Sequence, residues 1–357
     1  MHLNPTAITD RSDERRPTAD RRWLVAILLL ALLAAMALKP APVPASMIPR
    51  DVRPFPVLTS QDRLLVLAPH EDDEVLGAAG VLQQAVAAGS QICVAYATYG
   101  DHNVLAFLFY RKRPWLNSAI NRRMGELRRA ESIEAMSLLG ISSNQLTFLG
   151  YPDNCLMQIW KRHWDDSPPY YTWITAADRV PYADAVAFNR SHKGNEILAD
   201  LEKILREFRP THIIVSHPRD GHPDHRALYC FLDAALLKAD SGLLRPRIFA
   251  YPLHLADWPR PRGLNPRLSM PFPAELATTE TWWVAPLTER EADLKGRAIG
   301  CFRSQLGLKS RWLLTFARSR ELFTSVDPLP LNDRPQSVRK QIEEARPALS
   351  AANHPLP

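Results

Sequence analysis

Apolar runs of strand length alternate along this chain with segments of helical pattern, and that alternation restricts the fold more than any other feature. The runs predict strands at 63–69, 91–98, 145–150, 211–217 and 246–252. The segments between them predict helices at 74–89, 121–139, 194–208 and 224–239. An alternation of this kind favours an α/β fold, in which helices cover both faces of a mostly parallel sheet.

Two of the predicted strands end in clusters of histidine and carboxylate side chains. The first apolar run leads into Pro69-His70-Glu71-Asp72-Asp73-Glu74, and the run at 211–217 leads into His222-Pro223-Asp224-His225. In open sheets of this type, ligands bind beyond the carboxyl ends of the strands. We therefore expect the two clusters to form the two halves of one site.

The residue types in these clusters indicate a metal site. Zinc accepts nitrogen and oxygen ligands, and a catalytic zinc keeps three protein ligands with one position open. His70, Asp73 and His225 would supply that set. Asp72 is the expected general base, although spacing alone leaves open which of the two aspartates binds the metal. Helix capping would explain one carboxylate, but it explains neither His70 nor a pair of adjacent aspartates.

The second cluster supplies two further candidates. Pro223 suits the first turn of a helix, and His222 and His225 are three residues apart, so that both rings can face one cavity. His222, oriented by Asp224, is expected to stabilise the oxyanion of a tetrahedral intermediate and to protonate the departing amine. Together, the two clusters fill each role that metal-assisted amide hydrolysis requires.

Composition excludes some other classes of function. The formal net charge is +6, but no block of Lys and Arg with interleaved aromatic residues is present, which argues against a nucleic-acid partner. The cysteines at positions 93, 155, 230 and 301 are far apart and form no CxxC pair. Neither a zinc ribbon nor a disulfide framework is therefore predicted. No pattern in the sequence specifies an oligomeric state.

The N-terminal part of the chain predicts a membrane anchor. Residues 23–38 form an uninterrupted apolar run of 16 residues between Arg22 and Lys39. A helix of this length reaches about 24 Å, and the two flanking cations can extend toward the membrane surfaces. The excess of arginine before the run places the N-terminus in the cytoplasm and the remaining chain outside. The alternative is a signal peptide cleaved near Ala35-Met36-Ala37, which would make the protein secreted.

These features divide the chain into five parts. We expect a cytoplasmic tail at 1–22, a transmembrane anchor or signal peptide at 23–38, a proline-rich linker at 39–60, a catalytic domain at 61–325 and a proline-rich tail at 326–357. Two connections in the domain, 99–120 and 151–194, are longer than the fold requires. They are predicted either to be lids or binding loops or to be surface insertions that pack their own aromatic residues. Beyond Leu253, the pattern predicts only peripheral structure, with a strand at 278–284 and a helix at 288–302.

The motifs, taken in order, resemble those of the LmbE-like family, also called the GlcNAc-PI de-N-acetylase (PIG-L) family. The resemblance rests first on the two charged clusters. Further matching segments between about Arg63 and Phe323 are Thr98-Tyr99-Gly100-Asp101, Arg128-Arg129-Ala130-Glu131, Phe148-Leu149-Gly150-Tyr151-Pro152-Asp153, Ser304-Gln305 and Arg320-Glu321-Leu322-Phe323. Two positions depart from the family pattern, because Glu71 stands where the family often has proline and Asp220 where some members carry tyrosine.

The resemblance implies a Rossmann-like three-layer sandwich, one zinc or other divalent ion per chain, and removal of an N-acetyl group from an amino sugar in a larger conjugate. The positions that correspond to the family's functional residues are the metal ligands His70, Asp73 and His225, the general base Asp72, the acid or oxyanion residue His222 and its orienting partner Asp224. Arg128 and Asp153 fall where the family holds its sugar substrate, although a structural ion pair or a helix cap would also account for each.

The sequence therefore predicts a membrane-tethered, zinc-dependent N-acetylhexosamine deacetylase. Its expected substrate is a lipid-linked or polymeric glycan in the periplasm or outside the cell. One alternative is a de-N-acylase that cleaves another amide, in a lipid or an antibiotic. Another is a glycan-binding module of the cell envelope without catalytic activity. Acyl-chain selectivity distinguishes the first alternative, and the metal content of the folded protein distinguishes the second.

Overall fold

The computed structural model describes residues 49–103, 106, 110, 117–239, 245–307, 310–330 and 334–340. Within these residues, eight strands form one sheet. The strands are β1 (Asp51–Pro54), β2 (Arg63–Ala68), β3 (Gln91–Thr98), β4 (Leu146–Tyr151), β5 (His212–Ser216), β6 (Arg247–Tyr251), β7 (Thr281–Pro286) and β8 (Arg320–Thr324). The inner strands are almost entirely buried, which accounts for their continuous apolar sequences.

Five neighbouring strands form the parallel part of the sheet. The strand order is β1-β7-β8-β6-β5-β2-β3-β4. Strands β6, β5, β2, β3 and β4 run parallel to one another, whereas β8 is antiparallel to both of its neighbours. The chain moves outward from β2 to β4 and then returns to β5 on the other side of β2. The pair β2 and β5 is therefore the switch point at which sheets of this kind bind ligands, and the two charged clusters follow these two strands.

The helices pack in two groups. They are α1 (Asp73–Ala87), α2 (Ser118–Leu138), α3 (Leu156–Arg162), α4 (Gly194–Phe208), α5 (Pro223–Ala239), α6 (Ala274–Ala277), α7 (Glu289–Ile299) and α8 (Ser310–Leu313). Helix α7 packs on α1 and α2, and α5 packs on α3 and α4. Because crossovers between parallel strands are right-handed, the reversal of strand order puts the two groups on opposite faces. The predicted α/β fold with a mostly parallel sheet is confirmed.

The boundaries of the predicted elements are close to those of the structure. No predicted strand or helix in the described residues is shifted by more than three positions at either end. The start of α2 shows a physical cause of such a shift. Asn117 caps this helix, since its side-chain oxygen accepts a hydrogen bond from the Ile120 amide at 2.9 Å. The helix therefore begins before the apolar pattern that predicted it.

The sheet extends into segments that were predicted as linker and periphery. Strand β1 lies in the predicted linker 39–60, where it pairs in parallel with β7, and Phe55 behind it is buried. This four-residue strand contains two charged residues and a proline, so its sequence shows no alternation of apolar and polar residues from which a strand could be predicted. Strands β7 and β8 are likewise part of the main sheet, so the structure beyond Leu253 is not peripheral.

Part of the predicted C-terminal tail also packs on the domain. Arg334 donates to the buried carboxylate of Asp233 at 2.7 Å, and Val338 is fully buried. The predicted anchor at 23–38 lies outside the described residues. Among the residues that the structure describes, no helix is both long enough and apolar enough to cross a bilayer.

A buried ion pair connects α7 with β8 and α1. The ammonium of Lys295 lies 2.6 Å from Oε1 of Glu321 and donates to the carbonyl of Leu76 at 2.8 Å, and both charged side chains are buried. Lys295→Met is expected to lower the free energy of unfolding by about 3–5 kcal/mol, because Glu321 would stay buried without its counter-charge. Denaturant titration measures this loss. Arg303→Met, which breaks the exposed ion pair with Glu134, is the control and should cost less than about 1 kcal/mol. Equal losses in the two variants would contradict the prediction.

Candidate metal centre

The turn between β2 and α1 brings two adjacent aspartates into one cavity. The amide of His70 donates to Oδ2 of Asp73 at 3.0 Å, and Asp73 is the first residue of α1. Between them, Asp72 has a φ of 138°, a conformation that a residue other than glycine adopts only where its surroundings enforce it. The Asp72 amide donates to Oε2 of Glu74 at 3.1 Å, which helps to hold the turn. The result is that both Asp72 and Asp73 line the cavity.

Asp73 also joins the two charged clusters. Its Oδ2 atom lies 3.1 Å from Nδ1 of His70 and 3.1 Å from Nε2 of His225. His225 lies in the first turn of α5, which begins at Pro223 as predicted. The side chains of Asp73 and His225 are buried, and that of His70 is nearly so. The three residues that were predicted as metal ligands therefore meet, although they come from the ends of two different strands.

The donor set fits a divalent metal ion. Two imidazoles and one carboxylate are a ligand combination that catalytic zinc sites use. Carboxylates lie close to both ring nitrogens of His225, yet within the described residues neither nitrogen forms a hydrogen bond of acceptable geometry. Buried polar atoms in this state are rare unless they bind something else. The described residues contain three groups of possible ligands whose atoms lie within 4.8 Å of one another, namely His70 with His222 and His225, Asp220 with His225 and His254, and His70 with Asp153 and Asp224. The predicted combination of His70, Asp73 and His225 is not one of these groups, although Asp73 lies 3.1 Å from a ring nitrogen of each histidine.

Asp220 contacts both histidines of the second cluster, and the sequence did not predict a functional role for it. Its Oδ2 atom lies 3.5 Å from Nδ1 of His225, and its carboxylate accepts hydrogen bonds from the amides of His222 at 2.8 Å and His254 at 3.0 Å. Burial alone would lower the pKa of His225, but the carboxylates of Asp73 and Asp220 outweigh burial and raise this pKa to about 9. Carboxylates in this position orient metal-binding histidines in other proteins.

The ring of His222 is held in its neutral form. The Asp224 amide donates to Nδ1 at 3.2 Å, so the proton of the neutral ring lies on Nε2. Burial, together with the positive charges of His70 and His225, lowers the pKa of His222 to about 2. His222 lines the cavity and therefore offers it an N–H donor without a positive charge.

Asp224, the predicted orienting partner of His222, contacts that ring through its main-chain amide, and its carboxylate has other partners. The buried carboxylate accepts hydrogen bonds from the amides of Asn154 and Leu156, the second at 2.9 Å, and lies 3.3 Å from Nε2 of His70. The physical reason is that a buried carboxylate requires donors, and the loop after β4 supplies two of them. Asp224 thus connects α5 to that loop and supports His70.

Asp153, one of the two predicted substrate residues, lines the cavity beside His70. Its Oδ1 atom lies 3.1 Å from Nε2 of His70, and its Oδ2 accepts from the amide of His102 at 3.0 Å. Burial alone would raise the pKa of Asp153, but the adjacent His70 ring and the charge of Arg128 hold it well below its usual range. Asp153 therefore presents a charged carboxylate to the cavity.

Arg128, the other predicted substrate residue, is buried and supports the turn that carries the aspartates. It donates to the carbonyls of Gly100 at 3.0 Å and Glu71 at 2.6 Å, and its Nη2 lies 3.4 Å from Oδ1 of Asp72. Gly100 has a φ of +56°, and a Cβ atom there would lie 2.1 Å from Nη1 of Arg128. A glycine is therefore required for the guanidinium to reach both the turn and the cavity.

The cavity has a volume of about 190 Å³. Wall residues that the site prediction did not include are His102, Asn103, Asn154, His254, Gln305, Trp312 and Leu313. The ring of His254 stacks on Trp312 with centroids 5.1 Å apart. The Ser304-Gln305 motif gave a signal for Gln305, but nothing comparable marks His254 or Trp312, because neither residue belongs to one of the matching motifs.

The second long connection, 151–194, combines the two roles that were predicted for it. Asp153 and Asn154 at its start line the cavity. Further along, Trp164 and Tyr182 are buried in the core, whereas Trp173 is 74% exposed. The beginning of the connection therefore contributes to the site, and the rest mainly packs its own aromatic residues. In the first long connection, His102 and Asn103 line the cavity, and most of 104–116 lies outside the described residues.

The fold and the site together define an α/β protein with a candidate metal centre at the switch point of a mostly parallel sheet. Residues 65–236 match the family model described as PIG-L, GlcNAc-PI de-N-acetylase. This match agrees with the family resemblance of the motifs, and the matched residues include every site residue that the sequence predicted.

Curated relatives carry the name 1D-myo-inositol 2-acetamido-2-deoxy-alpha-D-glucopyranoside deacetylase 1. The one from Saccharopolyspora erythraea is 30% identical over 173 residues, which are 47% of this chain and 51% of the relative. The one from Catenulispora acidiphila is 29% identical over 208 residues, which are 56% of this chain and 54% of the relative. The chain thus spans about half the length of the curated relatives it matches. Among solved structures, N,N'-diacetylchitobiose deacetylase from Pyrococcus horikoshii is 19% identical with a TM-score of 0.46, over 75% of this chain and 84% of that chain.

Proposed function

We propose that this protein is a metal-dependent deacetylase that hydrolyses the N-acetyl amide of an N-acetylglucosamine-type sugar in a glycoconjugate. The observation that carries the proposal is the position of Asp73, whose Oδ2 lies 3.1 Å from one imidazole nitrogen of His70 and of His225. The match of residues 65–236 to the PIG-L family model supports the same reaction. The ion that we propose is zinc, one per chain, held by His70, Asp73 and His225.

The chemistry that such an ion supplies is Lewis acidity, which lowers the pKa of a water molecule and polarises the amide carbonyl. Asp72 accepts the proton of the attacking water, because it lines the cavity beside the ligands without belonging to the proposed ligand set. His222 donates a hydrogen bond from Nε2 to the carbonyl oxygen as that oxygen becomes negative. A neutral donor serves this purpose without requiring a charged ring in a buried site.

The proton balance assigns Asp72 a second step. Attack by water forms the new C–O bond, and cleavage of the C–N bond then releases acetate and leaves the sugar amine, which needs one proton. Asp72 holds the proton that it took from the water and can return it to the amine nitrogen. His222 was also expected to protonate the amine, but a neutral imidazole that gives up its Nε2 proton becomes an imidazolate. The donor role therefore suits His222 better than the acid role.

Arg128 and Asp153 are proposed to hold the sugar. Both line the cavity, and Asp153 presents a carboxylate that accepts hydrogen bonds from hydroxyl groups. Arg128 lies beside Asp72, so that a hydrogen bond from its guanidinium would position the sugar relative to the base. Both sugar-binding candidates therefore lie beside the residues proposed for the reaction.

The proposal is tested by measuring acetate release from N-acetylglucosamine glycosides. We expect the purified chain to release acetate, a chelator such as EDTA to abolish release, and added zinc to restore it, because the cavity residues alone cannot activate water at neutral pH. N-butyryl and longer N-acyl glycosides serve as comparison substrates. Release that persists in a metal-free preparation would overturn the proposed mechanism, and preference for long acyl chains would replace the deacetylase with a de-N-acylase.

We also propose, from the sequence alone, that residues 23–38 anchor the protein in a membrane with the deacetylase domain outside the cytoplasm. The support is the apolar run and the arginines that precede it. A reporter that is active only outside the cytoplasm, fused after Pro357, is expected to be active. A fusion that is well expressed but silent would contradict this orientation, and a mature chain that lacks its first residues would indicate a cleaved signal peptide.

A further inference from the structure

An open groove adjoins the metal cavity, and the indole of Trp312 forms a wall of both. The groove has a volume of about 610 Å³, and its other walls are Arg260, Pro261, Arg262 and Arg311. Trp312 is half-buried, and its ring is held by stacking on His254. A molecule whose reacting end lies in the cavity would therefore continue past the indole into a groove that three arginines line.

The frame of this groove is fixed by hydrogen bonds. The amide of Gly263 donates to the carbonyl of Arg311 at 2.9 Å and to Oγ1 of Thr315 at 2.8 Å. The buried guanidinium of Arg318 donates to the carbonyl of Asn265 at 3.1 Å. The loop that carries two of the arginines is thus joined to the segment that carries the third. Side chains on a frame of this kind lose less entropy when they bind a ligand.

The groove carries a net positive charge, because only one of its three arginines forms an ion pair with a carboxylate among the described residues. Arg260 pairs with Asp257 at 2.7 Å. In contrast, Arg262 donates to the carbonyl of Trp258 at 3.1 Å, and among the described residues no carboxylate pairs with it. The exposed side chain of Arg311 makes no hydrogen bond or ion pair within the same part of the chain. Two guanidinium groups in the groove are therefore available to an anion.

We propose that the groove binds an anionic group, a phosphate or a carboxylate, on the non-reacting part of the substrate. This inference rests on the proposed deacetylase function and adds a substrate class to it. Guanidinium groups match both anions, because their planar N–H donors form paired hydrogen bonds with two oxygens. All three arginines lie beyond residues 65–236, outside the matched family segment. The groove would give this chain a preference for charged glycoconjugates.

The test uses the full-length protein and three N-acetylglucosamine glycosides with the same aryl spacer, which ends in an alcohol, a carboxylate or a phosphate. We expect wild-type kcat/KM to be higher for the charged substrates, and the carboxylate and phosphate arms to show which anion is preferred. The double variant Arg262→Gln/Arg311→Gln is expected to lose about tenfold or more in kcat/KM for the preferred charged substrate, through KM. The neutral substrate should be unaffected, and high salt should reduce the preference of the wild type.

Arg267→Gln is the matched control, because Arg267 is 80% exposed, pairs with Glu289 and does not line the groove. It should leave all three substrates unchanged. Equal effects of the double variant on neutral and charged substrates, or no effect on either, would overturn the inference while deacetylation stands. If the double variant is unstable, the single variant Arg311→Gln replaces it, since this side chain is exposed.

Failure of the deacetylase proposal would be seen separately, as a wild type that releases acetate from none of the three glycosides. In that case, calorimetry measures the affinity of the phosphate-bearing glycoside for the wild type and for the double variant, which tests whether the groove binds an anion. Weaker binding to the variant supports the anion site, and equal binding overturns it.

Discussion

Replacing His225 with alanine is expected to remove the bound metal and to lower kcat/KM for acetate release by more than about a hundredfold. Changes in residues that merely orient a metal ligand already cost about 10–100-fold in metal affinity or activity, and His225 is proposed to be a ligand itself. Its loss would also leave Asp73 and Asp220 facing each other across an empty space. Metal analysis of the purified variant, together with acetate assays, measures both effects.

His212→Ala is the control for the removal of a buried histidine. His212 begins β5, at the end of the strand opposite to the site, and contacts Thr211 and Asp62. This variant should keep its metal and its activity. A His225→Ala protein that binds one metal ion per chain with wild-type affinity would exclude His225 as a ligand, and the group of His70 with His222 would then need a different third donor.

Asp72→Asn is expected to lower kcat by about 10²–10⁴-fold with little change in metal content or in KM. General base catalysis by a side chain contributes about that factor, and asparagine retains the shape of the side chain while losing its basicity. Asparagine has nearly the same shape as aspartate, so the contacts that hold Asp72 at a φ of 138° can hold the variant in the same conformation. Steady-state kinetics and metal analysis of the same preparation test the prediction.

Asp184→Asn provides the comparison for a carboxylate that lies outside the cavity. Asp184 is half exposed and pairs with Arg129 at 3.1 Å, so its amide variant should retain wild-type kcat. If Asp72→Asn binds metal and keeps more than about a tenth of the wild-type kcat, Asp72 is not the general base, since that loss is smaller than such a base contributes. The proton would then have to pass to Asp153, a charged carboxylate of the cavity that lies outside the proposed ligand set.

The central part of the fold was predictable because its signals are local. Buried parallel strands are continuous apolar runs, and the helices between them have their own periodicity and caps. Strands β1 and β8 lack such a signal. Their pairing with β7 depends on residues more than two hundred positions away for β1, as in the pair of Asp51 with Thr281. Pattern within a short window contains no information on that partner.

The meeting of the two charged clusters was predictable for a different reason. Histidine and paired carboxylates are unusual directly after apolar strands. Because the carboxyl ends of parallel strands lie at one edge of the sheet, two clusters far apart in sequence could be assigned to one site. Asp220 and His254 were missed because their importance lies in what they contact. Asp220 forms hydrogen bonds with two loops, and nothing about a single aspartate in sequence indicates that number of partners. The contact of the Asp224 carboxylate with the loop after β4 has no sequence signal for the same reason.

The ladder between β2 and β5 makes the centre a late product of folding. Only three residue pairs form this ladder, from Leu64 with His212 to Val66 with Ile214, and the side-chain contact at its end joins Arg63 to Thr211, 148 positions apart. Strands β2, β3 and β4 can assemble first, since the chain that connects them is shorter. A contact between residues far apart in sequence requires the loss of loop-closure entropy before the contact contributes any stabilisation, and such contacts therefore slow folding. A nascent chain therefore holds one cluster of the candidate centre before the other exists, and the two clusters meet only when β5 has paired with β2.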